Sequence, residues 1–252
     1  MVLTAVVTGS GDPVTLAAHG LGASIAETRP LLSGVAGRRV FYAARGHAGD
    51  SPAPFSYRDL GDDLLTVADQ HDATRALGVS MGAGAILSLL ARHPDRFEKV
   101  VCFLPGAIDQ PRTDQAVGRL RDLVIALRAA DTAGVRALVA AEIPPDLHGP
   151  ASAYIDTRAR FLLDNPGIAV AVASLPAVTP VPDRSALAAV SAEVLVLAQE
   201  GDPVHPAQVA RDLAAALPRA RLHVFDGPGV LWNARSEFRE RVLAHLGAEP
   251  SG

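Results

Sequence analysis

The stretch ATRALGVSMGAGAILSLLAR, Ala73–Arg92, decides the fold of this chain. Ala73–Val79 reads as a strand and Gly82–Arg92 as a helix, by run length and apolar pattern. Gly78-Val79-Ser80-Met81-Gly82 must therefore turn the backbone sharply from strand to helix. Glycines at 78 and 82 relieve crowding against the neighbouring strand and helix. Ser80 then carries its hydroxyl out at the carboxyl end of the sheet, where a serine is a candidate nucleophile. The Met81 backbone N–H is directed to the same spot, aided by the positive end of the helix dipole.

On either side of this turn, short apolar runs alternate with helix-like stretches, the pattern of a mostly parallel sheet with crossover helices. Leu3–Val7, Val14–Ala18, Arg39–Tyr42, Val100–Leu104, Val194–Ala198 and Leu222–Phe225 read as further strands. Tyr57–Gln70, Ala207–Leu217 and Ser236–Leu246 read as helices between or after them. The alternation breaks from 105 to 185, where proline-punctuated helices are expected at Thr113–Ala130, Ala133–Ala140, Ala151–Leu163 and near Ile168. An insertion of roughly 80 residues rarely lacks a purpose. The organisation expected is a core of 1–104 and 186–252 with a helical cap of 105–185, or else a small second domain there.

Composition narrows the function classes. A chain of 252 residues, 49% hydrophobic, can bury a full core. Its net charge of −4, without a basic block, argues against nucleic acid as a partner. No apolar run is long enough to span a bilayer, so no membrane partner is expected. Met1–Ser10 lacks the pattern of a secretory leader, and the lone Cys102 sits in an apolar run, so a cytoplasmic protein with an inert buried thiol is expected. No metal or cofactor is expected. The Ala, Val and Leu of the 105–185 segment point to a small, largely apolar substrate or ligand.

Further motifs stand at the strand ends. His19-Gly20-Leu21-Gly22 comes after the second strand, Arg45-Gly46-His47-Ala48-Gly49-Asp50-Ser51 after the third, and Gly201-Asp202-Pro203-Val204-His205-Pro206 after Val194–Ala198. With the serine turn, they make the chain resemble the α/β-hydrolase family, in its esterase, lactonase and haloperoxidase-like branch, over nearly its whole length. The resemblance implies an α/β-hydrolase fold with a helical cap inserted before the acid-bearing strand. It gives Ser80 the role of nucleophile, the Leu21 and Met81 N–H groups the oxyanion hole, and Asp202 the triad carboxylate. The 45–51 loop becomes a structural brace, and His19 and His47 become orienters of loops. Read from the residues alone, Asp202 lies just past a strand, placed either to orient a base or merely to start an Asp-Pro turn.

The resemblance fails at one place. In the family the last strand leads through a glycine to the catalytic histidine, but here the segment is Phe225-Asp226-Gly227-Pro228-Gly229-Val230-Leu231-Trp232, with Val230 in the histidine's position. Valine can neither take the Ser80 proton nor return it to a leaving group. His205, three residues beyond Asp202, is the candidate to stand in. His223 and His245 lie too far from the carboxyl edge, His71 and His93 read as surface residues, and His148 reaches the site only if the cap closes. Two functions fit this pattern. One is an ester, thioester or lactone hydrolase, or an acyl-transfer or elimination enzyme, working through Ser80 with an unusual or absent base. The other is a silent small-molecule-binding protein on the same fold. A missing base predicts slow ester hydrolysis and a gain of activity on Val230→His.

Overall fold

Seven apolar runs become strands in the computed structural model, which describes residues 3–48, 54–113 and 115–249. They are β1 (Ala5–Thr8), β2 (Val14–Ala18), β3 (Arg38–Tyr42), β4 (Arg75–Val79), β5 (Lys99–Phe103), β6 (Glu193–Gln199) and β7 (Ala220–Phe225). The sheet order is β1-β3-β2-β4-β5-β6-β7, with β1 antiparallel to β3 and every other ladder parallel. The helices are α1 (Ile25–Thr28), α2 (Tyr57–Gln70), α3 (Met81–Leu90), α4 (Gln115–Arg128), α5 (Thr132–Ala140), α6 (Ser152–Asp164), α7 (Gly167–Ser174), α8 (Ala207–Ala216), α9 (Val230–Asn233) and α10 (Arg235–Leu246). The short α1 and α9 escape a reading by periodicity, because a single turn shows no repeat.

The inner strands are apolar on both faces, as a covered parallel sheet requires. In β5, Val100 and Cys102 join one core layer while Val101 and Phe103 join the other. In β6, Val194 and Val196 alternate with Leu195 and Leu197 in the same way. The first layer is covered by α2, α3 and α8, the second by α10 and the turn of residues 29–32. Burial pushes the Cys102 thiol up to about 12, so it is an inert part of this packing. Helix α2 starts on a capping box: the Ser56 side chain accepts from Asp59 N–H, and the Asp59 carboxylate accepts from Ser56 N–H at 2.8 Å.

The insertion between β5 and β6 carries α4 to α7 and has a core of its own. Leu123, Val135, Val139, Ile155, Leu162 and Ile168 are among its buried members. The apolar residues of the 105–185 segment thus pack largely against one another. Asp114 of the expected 113–130 helix, and Gly49, Asp50 and Ser51 of the 45–51 motif, lie outside the described residues.

Sheet order decides which loops meet. Strand β2 lies between β3 and β4, so the loop after β2 and the Ser80 turn after β4 leave the same edge side by side. The loop after β6 needs to cross only β5 to reach Ser80, a span of about 10 Å, whereas a loop after β7 must cross about 14 Å.

At the turn, an added Cβ at Gly82 would stand 2.2 Å from the Ala18 carbonyl oxygen of β2, and one at Gly78 2.6 Å from the Ala83 nitrogen. Backbone cannot yield as a flexible side chain does. Gly82→Ala is therefore expected to lose more than the about 1–3 kcal/mol of ordinary overpacking. Gly118→Ala on α4, where a Cβ meets nothing within 4 Å, should gain up to about 1 kcal/mol. Urea midpoints of the two variants check both signs.

Candidate active site

Ser80 sits at φ 49°, ψ −106°, a conformation that a non-glycine residue adopts only under constraint. The constraint is visible on both sides: its N–H donates to the Phe103 carbonyl at 2.9 Å, and its carbonyl accepts from Gly84 N–H at 3.0 Å. The hydroxyl is thereby set off the end of β4. Met81 opens α3, so its N–H belongs to the first turn, where helical donors lack an intrahelical acceptor.

The neighbouring loop after β2 is held by two buried histidines. The His19 Nδ1–H donates to the Gly20 carbonyl at 2.8 Å, and Nε2 accepts from Ala44 N–H at 3.0 Å. The His47 Nδ1–H donates to the Arg45 carbonyl at 3.0 Å, and Nε2 accepts from Gly22 N–H at 2.9 Å. Each ring bridges two stretches of backbone as a neutral tautomer, and Leu21 lies between the residues they fix. The loop abuts the turn: a Cβ on Gly20 would stand 3.7 Å from the Ser80 Cβ.

His205 reaches across β5 and places its Nε2 2.8 Å from the Ser80 Oγ. Its Nδ1 faces the Asp202 carboxylate, 3.3 Å from one oxygen and 3.4 Å from the other. With Nδ1 carrying the proton toward Asp202, Nε2 is left as an acceptor for the Ser80 hydroxyl. Asp202 is itself well held. Its Oδ1 accepts from Val204 N–H at 2.7 Å and from His205 N–H at 2.8 Å, and its Oδ2 accepts from the Gln199 amide at 2.6 Å. Burial pushes this carboxyl up, but the bonds from His205, Val204 and Gln199 outweigh it and hold the group down at about 2.

Val230 is where the family pattern would put a histidine, and its side chain is buried with Leu197, Phe225 and Phe238. Its N–H donates to Gln199 Oε1 at 2.9 Å. That donor fixes the Gln199 amide orientation, leaving Nε2 to donate to Asp202. The serine is thus not without a histidine, as the sequence pattern suggests. The ring comes from the loop after β6 instead of the segment after β7. Gln199 escapes sequence reasoning because nothing marks the last residue of a strand as a bridge. Gly106 escapes it too; a Cβ there would stand 3.7 Å from the His205 ring and 3.9 Å from Ser80 Oγ.

The other histidines stay away from Ser80. His148 Nε2 lies 2.9 Å from the carbonyls of both Ala140 and Ile143, bracing the insertion. His223 pairs with Glu237 at 3.1 Å, and the His245 Nε2 lies 3.0 Å from the Val100 carbonyl. His93 is exposed and His71 half-buried.

A cavity of about 210 Å³ opens on Ser80 and His205, bounded by Leu21 from the core and by Arg112, Leu120, Glu142 and Arg158 from the insertion. The lining is largely apolar, with Leu21, Leu31, Phe103 and Leu231 from the core, while most alanines, valines and leucines of α4 to α7 are used in the insertion's own core. Arg158 donates to Glu27 at 2.7 Å and to the Leu21 carbonyl at 3.3 Å, and the Tyr154 hydroxyl donates to the same Glu27 oxygen at 2.9 Å. Arg112 donates to the Val204 carbonyl, next to His205. Among the described residues no three His, Cys, Asp or Glu side chains converge on a metal position, and no helix is long and apolar enough to cross a membrane.

Comparison with known proteins agrees with this architecture. The chain belongs to the alpha/beta hydrolase fold family, whose model matches residues 13–230. A Caulobacter segnis protein that carries the name of a putative carbamate hydrolase, RutD, is 30% identical over 94% of this chain and 92% of its own length. Among solved structures, the enol-lactonase from Burkholderia xenovorans superposes with a TM-score of 0.81 at 21% identity, covering 97% of this chain and 96% of that one. An esterase from Exiguobacterium antarcticum gives a TM-score of 0.78 at 19% identity over 98% and 96% of the two chains. At such identities the two structures speak for the fold alone.

The paired histidines carry a pH signature. Burial lowers His19, and burial together with the neighbouring His19 lowers His47 to about 3, against an unfolded value near 6.5. The unfolded chain therefore binds protons first. The stability these groups contribute is complete above about pH 6.5 and is lost as the pH falls toward the folded value. Melting scans from about pH 7 to pH 5 should show a falling Tm, with a slope of up to about 1.4 kcal/mol per pH unit from each ring. His47→Gln, which keeps an acceptor for Gly22 N–H but cannot titrate, should be less stable at neutral pH and flatter in its pH dependence.

Proposed function

We propose that the protein is a serine hydrolase of the ester, thioester, lactone or carbamate class, with Ser80 as nucleophile, His205 as general base and acid, and Asp202 as its orienting carboxylate. The observation that carries this reading is the 2.8 Å contact between His205 Nε2 and Ser80 Oγ, with Asp202 behind the ring. The name of the Caulobacter relative adds carbamates to the candidate substrates.

The reaction is set by these positions. The Ser80 hydroxyl gives its proton to His205 Nε2 as Oγ bonds to the substrate carbonyl carbon. The electron pair of the C=O bond moves onto oxygen, where the Leu21 and Met81 N–H groups receive it. His205 hands the proton to the leaving alcohol, thiol or amine as that bond breaks, leaving an acyl-serine. Water, deprotonated by the same ring, then releases the acid and restores Ser80. Asp202 stays ionised throughout and favours the imidazolium formed in each half. The 105–185 segment acts as the cap over this cavity. The 3.3 to 3.4 Å spacing at Nδ1 is long for a charged pair, and such contacts tighten when substrate is bound. The reading as a silent binding protein rests on Val230 alone, and a histidine beside Ser80 supports turnover instead.

A fluorophosphonate probe tests the nucleophile: it should label wild-type protein, fail on Ser80→Ala, and react much more slowly with His205→Ala. On an activated ester series, His205→Ala should lower kcat by about 10² to 10⁴ or more while leaving the fold intact by melting temperature. Equal turnover by wild type and His205→Ala would remove His205 from the chemistry.

Val230→His, which an absent base would make beneficial, is expected to bring no gain. The site is only 2% exposed and apolar, and His205 already occupies the face of Ser80. Overpacking there should cost about 1–3 kcal/mol in urea unfolding. A rise in kcat for a folded Val230→His protein would argue that His205 is not the working base.

A further inference from the structure

On the hydrolase reading, a base on the loop after β6 leaves the segment after β7 without a role at Ser80. That segment winds into α9 and turns its side chains to another use. A second cavity, of about 620 Å³, borders the one that opens on Ser80, and Glu27, Leu31, Tyr154 and Leu231 line both. Its volume falls in the range of small-molecule sites.

This outer cavity has two distinct surfaces. One is apolar: Pro30, Leu31 and the α9 residues Leu231 and Trp232, which are 37% and 39% exposed. Trp232 is held edge-on to Tyr154, ring centroids 5.7 Å apart. Large apolar side chains left open in a concavity are a usual mark of a ligand surface. The other surface is cationic, formed by Arg235 and Arg239 of α10. Arg239 donates through Nε to the Ser33 carbonyl at 3.2 Å, and among the described residues neither guanidinium meets a carboxylate. The acid in the cavity wall, Glu27, is already engaged. One of its oxygens takes Ser24 N–H at 3.2 Å, and the other takes Arg158 at 2.7 Å and the Tyr154 hydroxyl. The positive charge of α10 is therefore left for a ligand to answer.

We propose that this outer cavity binds the distal part of the substrate, an apolar body that ends in a carboxylate. The body lies on Trp232, Pro30 and Leu31, the carboxylate is met by Arg235 and Arg239, and the scissile carbonyl reaches Ser80 past the border formed by the shared residues. Guanidinium groups suit this end because they pair with carboxylates through more than one N–H.

Trp232 is the only tryptophan of the chain, so its emission reports on this cavity directly. The Ser80→Ala protein is titrated with octanoate and, separately, with 1-octanol. Octanoate should change the emission saturably, with a midpoint about ten-fold or more below that of octanol, as expected from charge-assisted hydrogen bonds. Arg235→Gln should reduce this preference, and Arg235→Gln with Arg239→Gln should abolish it while octanol binding is kept. In wild-type protein, octanoate should inhibit hydrolysis of an activated ester competitively. No emission change, equal midpoints for acid and alcohol, or a preference kept in the double variant overturns the site. Non-competitive inhibition overturns its assignment to the substrate and makes the ligand a separate effector. The emission measurements need no turnover, so their failure is distinct from a failure of the hydrolase reading, which the fluorophosphonate labelling of Ser80 reports.

Discussion

The Asp202 carboxylate turns back on its own loop, one oxygen receiving the N–H groups of Val204 and His205, the other the Gln199 amide, with the His205 ring lying against both. Each contact serves a different part of the site. The backbone bonds fix the turn that points His205 across β5. The Gln199 bond ties the carboxylate to β6 and, through Val230 N–H, to the start of α9. Together they offset the cost of burying a carboxylate, which would otherwise exceed several kcal/mol. Without that compensation the loop would have no reason to hold a histidine beside Ser80.

The serine side of the contact is held by different physics. Ser80 occupies a backbone region that costs of order 1–3 kcal/mol. The cost is met by packing, since every residue of α3 is buried and Gly82 lets the helix sit directly on β2. The loop around Leu21 is set by hydrogen bonds from neutral imidazoles. Close packing, a satisfied buried charge and a pair of bridging rings thus converge on one point at the sheet edge, the Ser80 hydroxyl.

Much of this is legible in the sequence. Tyr57–Gln70 reads as a helix to the residue, and Val14–Ala18 as a strand, because periodicity is local. The Ser80 turn is legible because glycine spacing encodes a steric constraint. His205 is harder: spacing puts it near Asp202, but only the order β4-β5-β6 explains how it spans to Ser80. Gln199 and Gly106 carry no local signal, since their roles arise from loops that meet only in the folded chain. The insertion's composition suggests an apolar wall, and the wall is largely apolar, but it takes that character from Leu21, Leu31, Phe103 and Leu231 of the core, with Leu120 the apolar contribution of the insertion. Leu123, Val139 and Leu162 are buried among themselves, while Arg112, Glu142 and Arg158 look into the cavity. Composition counts side chains without saying which face they take.

One consequence of having acid and histidine three residues apart concerns how the molecule divides. Ser80, Asp202 and His205 all precede α8, so a single stretch of chain ending there holds every group proposed to react. The C-terminal elements β7, α9 and α10 form the edge of the sheet and the outer wall of the larger cavity. The groups proposed to react and the α9 and α10 side chains proposed to meet the distal end of a substrate thereby lie in separate segments, joined at the site by the bond from Val230 to Gln199 and along the sheet by the β6–β7 ladder. On those proposals, a C-terminal piece that keeps the β7 pairing and the packing of Phe225, Val230 and Phe238 would alter which molecules enter while leaving the reacting groups in place. In such a scaffold, specificity drifts as a module within the constraint set by the β6–β7 ladder, the packing of α10 on the sheet and that one backbone hydrogen bond.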